Sequence, residues 1–176
     1  MLRRHVYLAC FLLLACESRP DSYDQVCREP WGVDPEGDAV DGSLTVVLDP
    51  RFDDDEVEEA RQACVGWEDV GVPCVAYRDA DDVPDPGVPV AKCASAPYAP
   101  GAQGVTYPRL RSPSPIILTV PLHRRLLQHE LAHALYLYGG TGHAPCDQSS
   151  IVGASGRCMS AGPTPRDGCL ARGGCR

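Results

Sequence analysis

Residues 122 to 143, LHRRLLQHELAHALYLYGGTGH, constrain the fold more than any other stretch of the chain. Leu127, Leu131, Ala134, Leu135 and Tyr138 recur at helical spacing and make one apolar stripe. His129 and His133 are four residues apart and, at roughly 100° per residue, fall one turn apart on a different face. One face packs on a core and the other is left to coordinate. Pro121 suits the start of such a helix, and Gly139 and Gly140 suit its end.

Two imidazoles one turn apart can reach a single ion. Imidazole binds zinc in its neutral form and leaves its second nitrogen free for an orienting hydrogen bond. Glu130 lies beside the pair, where a carboxylate can act as general base toward a metal-activated water. After the leader described next, the chain has four histidines, all between positions 123 and 143. His123 is off the metal face and reads as an exposed first-turn residue. Tyr136 falls near the His129 side of the helix and Tyr138 on the core side.

Residues 1 to 15 carry two arginines followed by an apolar run of about ten residues, the pattern of a secretory signal and too short for a permanent membrane span. Leu13, Leu14, Ala15 and Cys16 resemble the lipobox of bacterial lipoproteins, with Leu14 where that family usually has a smaller residue. The resemblance implies that Cys16 is lipidated and holds the protein at a membrane surface. Glu17 to about Gln25 then reads as a polar tether that needs no fold.

With Cys10 in the leader and Cys16 lipidated, eight cysteines remain: Cys27, Cys64, Cys74, Cys93, Cys146, Cys158, Cys169 and Cys175. In an exported chain an even set without a CxxC pair reads as up to four disulfides, of unspecified pairing, rather than a thiolate zinc site. Removing Arg3 and Arg4 leaves 14 Lys+Arg against 24 Asp+Glu, a net of about −10, which argues against nucleic acid as a partner. One Phe and two Trp remain for the core, so disulfides and metal are expected to supply part of the stability.

Residues 44 to 48, LTVVL, read as a buried strand. A helix follows over 54 to about 69, capped by Asp53, with Val57, Ala60, Cys64 and Trp67 inward. Its acidic first turn suits the helix dipole and reads as solvated rather than as a calcium site. Residues 72 to 77 read as a second strand, and strand, helix, strand suggests a parallel crossover. From Pro84 to Pro115 lie eight of the chain's 17 prolines, so that stretch reads as loop with at most short edge strands, such as 104 to 107. Residues 116 to 120, IILTV, form a third strand running into the HELAH helix.

This order, with HExxH on a helix after the strands, resembles the zincin metalloproteases and their metzincin branch. That branch extends the motif to HExxHxxGxxH followed by a Met-turn. Here His129, Glu130 and His133 match; Tyr136 stands at the glycine position, and Gly140, Thr141, Gly142 and His143 give a displaced Gly-x-x-His, as if one helical turn were inserted. The resemblance implies zinc held by His129, His133 and a third ligand, His143 ahead of Asp147. No Glu follows Glu130, which excludes a later glutamate ligand. Cys158, Met159 and Ser160 resemble the Met-turn, whose methionine packs beneath the metal without ligating it.

The expected fold is α+β, a zincin-like small mixed sheet packed on two main helices with a disulfide-stapled, loop-rich C-terminal part. The expected organisation is a signal over 1 to 15, the lipidated cysteine with its tether and an N-terminal segment over 16 to 43, and one zincin-like catalytic domain over 44 to 176. The expected function is that of a membrane-anchored exported zinc metallohydrolase acting on peptide or protein, with Glu130 as general base. The rival is a disulfide-stapled surface lipoprotein that serves as a binding module, with structural zinc or none. A zinc amidase acting on cell-wall peptide would share the chemistry.

Overall fold

The computed structural model describes residues 22–30, 43–78, 87–108, 114–146, 148–153 and 158–175. The proposed signal, Cys16 and Asp147 lie outside the described residues. Five strands, β1 (Leu44–Leu48), β2 (Cys74–Arg78), β3 (Val88–Lys92), β4 (Gly104–Thr106) and β5 (Ile116–Leu118), form one mixed sheet in the order β2-β1-β3-β5-β4. Four helices accompany it: α1 (Ser22–Arg28), α2 (Asp54–Glu68), α3 (Arg124–Ala134) and α4 (Pro165–Ala171). The fold is therefore mixed α+β.

β1, α2 and β2 form the expected crossover, with Leu44 opposite Cys74 and the two strands parallel. Asp53 caps α2 through its side chain, and Glu56 reaches back to the Asp53 amide to complete a capping box. Val57, Ala60, Cys64 and Trp67 are buried beneath it. Glu56 is buried as well, unlike the solvated acids around it, and its Oε2 lies 2.6 Å from Lys92 Nζ. Burial acts to raise the Glu56 pKa; Lys92 and the amides of Asp53 and Leu122 outweigh it and hold the carboxyl below its ordinary value. Because Leu122 donates to Glu56 Oε1 at 3.0 Å and Arg124 N to Glu59 Oε2 at 2.7 Å, α2 fixes where α3 begins.

The Pro-rich stretch departs from expectation, since β3 runs through it at the middle of the sheet. Asp49 N donates to Val90 O, so Val90 faces β1 and its neighbour Pro89 faces the other way. Pairing with β5 begins only at Val90, opposite Ile116, so Pro89 lacks an amide where the ladder does not need one. β4 is the antiparallel edge strand, with Val105 opposite Ile117.

The two sheet faces bury different clusters. Leu44, Val46, Leu48, Val90, Ile116 and Leu118 meet Trp67 of α2 and Leu127 and Leu131 of α3. Ala91 and Ile117 face the opposite side, against Tyr23 and Val26 of α1. Both sides of Ile116–Leu118 are thus covered, which explains its unbroken apolar run. The segment expected to act as a tether up to about Gln25 already contains α1, docked on the sheet through Tyr23 and Val26 and joined to it by the Cys27–Cys93 disulfide. Seven residues are too few to hold a helix alone. Three further disulfides pair Cys64 with Cys74, Cys146 with Cys158 and Cys169 with Cys175. Among the described residues, no helix is long and apolar enough to cross a membrane.

Candidate metal centre

α3 starts at His123, whose ring accepts from Leu126 N at 3.2 Å, so this exposed histidine serves as the N-cap. Leu127, Leu131 and Ala134 are buried as the stripe required, and Leu135 and Tyr138 pack on the same core half-covered. His129 and His133 stand one turn apart, with their Nε2 atoms 3.2 Å from each other.

The end of the helix differs from its sequence reading. α3 stops at Ala134, and in place of a continued α-helix a single 3-10 turn, Leu137–Gly139, follows, with Tyr138 outside helical φ/ψ. Tyr136, at the position of the metzincin glycine, takes a left-handed conformation with φ 59°, and Tyr138 does so with φ 51°. Gly139 and Gly140 continue the reversal at φ 79° and 78°. Each left-handed tyrosine costs on the order of 1 to 3 kcal/mol. The bend returns the chain so that the His143 ring centroid lies 5.5 Å from that of His129 and 5.1 Å from that of His133.

The ligand nitrogens of His129, His133 and His143 all lie within 4.8 Å of one another. Zinc bonds of about 2.0–2.1 Å at tetrahedral angles need nitrogens about 3.3–3.4 Å apart, so binding would draw the widest pair together by about 1.5 Å. His129 Nδ1 lies 3.0 Å from the Ile151 carbonyl, which can only accept. The ring therefore carries its proton on Nδ1 and turns an Nε2 lone pair toward His133. Burial lowers the His129 pKa, with His143 and Arg125 acting the same way and the Ile151 carbonyl opposing. Burial also pushes His133 down to about 4, helped by the two neighbouring imidazoles. His129 and His133, which burial keeps neutral, together with the nearby His143 ring are a donor set that fits zinc.

No family model matches this chain, and neither does any curated protein or solved structure compared with it. Its chemistry must be read from its own residues.

Glu130 is buried at the histidines' side, in a cavity of about 240 Å³ shared with Gly104, Thr106, His129, His133 and His143. Burial raises its pKa to about 7, against the opposing pull of Thr106. Thr106 Oγ1 lies 2.8 Å from the Glu130 carbonyl and 2.8 Å from Oε2 of the same residue. A hydroxyl has one proton for these two contacts. If it goes to the carbonyl, the carboxyl must donate in return, an arrangement that suits a protonated Glu130; if it goes to Oε2, it supports the anion. Thr106 can thus partner Glu130 in either protonation state.

Gly104 permits this approach of β4. A Cβ there would lie 2.9 Å from Glu130 Oε1 and 3.0 Å from Leu126 Cδ1. Neither Gly104 nor Thr106 stood out in the sequence, because an edge strand carries no periodic signal of what lies across from it. Asp167 was missed too. It is fully buried in the capping box of α4 and accepts from Ser150 Oγ at 2.5 Å and from Ile151 N at 3.1 Å. That holds Ile151, the residue whose carbonyl orients His129, and the same Ser150 hydroxyl accepts from Val152 N at 3.2 Å, in the peptide that carries this carbonyl. The Thr164-x-x-Asp167 spacing, with Pro165 in the first turn, is the signal that could have found it.

Met159, which the resemblance puts beneath the metal, is half-buried and lines a neighbouring cavity with His129 and Glu130. Arg125 donates to its carbonyl at 3.1 Å.

Proposed function

We propose that the protein is an exported zinc metallohydrolase, a metzincin-like peptidase, anchored to a bacterial membrane through a lipid on Cys16. The observation that carries the reading is the convergence of three histidine nitrogens beside a buried carboxyl of raised pKa, inside one cavity. Four disulfides support export to an oxidising compartment. His129, His133 and His143 would hold the metal.

Zinc held there would supply Lewis-acid chemistry, polarising a carbonyl and making water acidic near neutral pH. Glu130 takes the proton from the attacking water and returns it to the leaving amine, a task that favours a carboxyl titrating close to 7. Thr106 holds that carboxyl in place through both halves of the transfer. The Ile151 carbonyl keeps His129 in one tautomer.

The test is hydrolysis of a mixed peptide library by the full-length protein, before and after metal removal by a chelator. Cleavage that stops on chelation and returns with added zinc is the expected result. A folded, zinc-loaded protein that cleaves nothing would transfer the reading to the binding module.

A further inference from the structure

Beside the triad lies a third cavity, of about 580 Å³, with three tyrosines in its wall. Tyr98, Tyr107 and Tyr136 line it together with Pro108. Tyr107 is buried and its hydroxyl donates to the Pro97 carbonyl, which ties the turn bearing Tyr98 to the end of β4. Tyr98 is 80% exposed and Tyr136 43%, so neither ring is held there by the core. Both also sit at positive φ, 62° and 59°. Among the described residues only three non-glycine positions have positive φ, and two of them aim at this one cavity. Exposed aromatic rings on costly backbone, gathered at one place, mark a surface kept for contact.

The Tyr136 ring is seated. A Cβ on Gly140 would lie 2.8 Å from Tyr136 Cδ2 and 2.6 Å from Pro108 Cβ, so the backbone of Gly140 passes directly against both. Val105, Thr106 and Thr141 line this cavity and the histidine cavity alike. The two cavities thus share a wall, which puts an occupant of one next to an occupant of the other.

We propose that this tyrosine-lined cavity is the specificity subsite of the cleft and takes an aromatic side chain of the peptide whose backbone lies at the histidines. The inference rests on the peptidase reading and deepens it. Tyrosine faces attract aromatic rings, and they also attract cations. No carboxylate is among the described lining residues, so a lysine or arginine would enter without a counter-charge, whereas a neutral ring enters at no such cost. An aromatic residue is therefore the occupant.

Binding and turnover are measured separately with octapeptides of alanine and serine that differ at one central position, Phe, Lys or Gly. Binding uses the full-length Glu130→Gln protein with zinc present and is read by calorimetry; cleavage uses the wild type. The Phe peptide is expected to bind about tenfold more tightly than the Gly peptide. Adding Tyr98→Gly and Tyr136→Gly should reduce that preference to less than about twofold. Glycine suits both left-handed positions, so an unchanged or raised Tm would show the fold intact. Tyr136→Phe should retain the preference. Equal binding of the Phe and Gly peptides, or tightest binding of the Lys peptide, would overturn the subsite. A Phe preference in binding without wild-type cleavage would keep the subsite and reject the peptidase, and cleavage with no Phe preference in binding would do the reverse.

Discussion

Replacing Glu130 by glutamine is expected to lower peptide hydrolysis by about 10²- to 10⁴-fold and to leave zinc content unchanged. Glutamine has the size of the carboxyl it replaces, so it keeps the close approach of β4 at Gly104. It can still meet Thr106, and the three histidines are untouched. It cannot take a proton from water. The loss should therefore appear in kcat, with the fold and the metal intact. Turnover retained within a few-fold of wild type would remove Glu130 from the role of base, whatever its pKa.

A second large effect is expected far from the chemistry, at Asp167. Asp167→Ala strips the acceptor from Ser150 Oγ, Ile151 N, Thr164 N and Thr164 Oγ1, in a site where the carboxylate itself is fully buried. Leaving such donors unpaired should cost about 3 kcal/mol or more in urea unfolding. Ile151 is also the residue whose carbonyl orients His129, so zinc affinity should fall about 10- to 100-fold, as measured by competition with a chelator. Asp167→Asn keeps the size and one acceptor and should lose less of both. Unchanged stability in the alanine variant would mean that the α4 cap does not hold the 150 to 152 loop.

What could be read beforehand followed from local periodicity. α2 was legible because Asp53 can cap it and Val57, Ala60, Cys64 and Trp67 share a face. The positions of His129 and His133 followed from helical spacing alone. β3 was hidden because proline normally argues against a central strand, and Pro89 escapes that rule only through the late start of β5 beside it. α1 was hidden because its burial depends on the sheet and on Cys93, neither of which is local to it. His143 was a candidate by sequence, but the path to it was not legible. The bend runs through Tyr136 and Tyr138 in a conformation that sequence reasoning reserves for glycine, with Gly139 and Gly140 only completing it. Thr106 was hidden because it reaches Glu130 across space from an edge strand.

The central claim is that His129, His133 and His143 form one zinc site, and elemental analysis of the purified full-length protein tests it most directly. The wild type should carry about one zinc per chain, and His143→Ala should lose most of it at the same protein concentration. Full zinc in the variant would place the third ligand elsewhere and contradict the triad. A correctly folded wild type that takes up no zinc when zinc is supplied would contradict the metal centre itself.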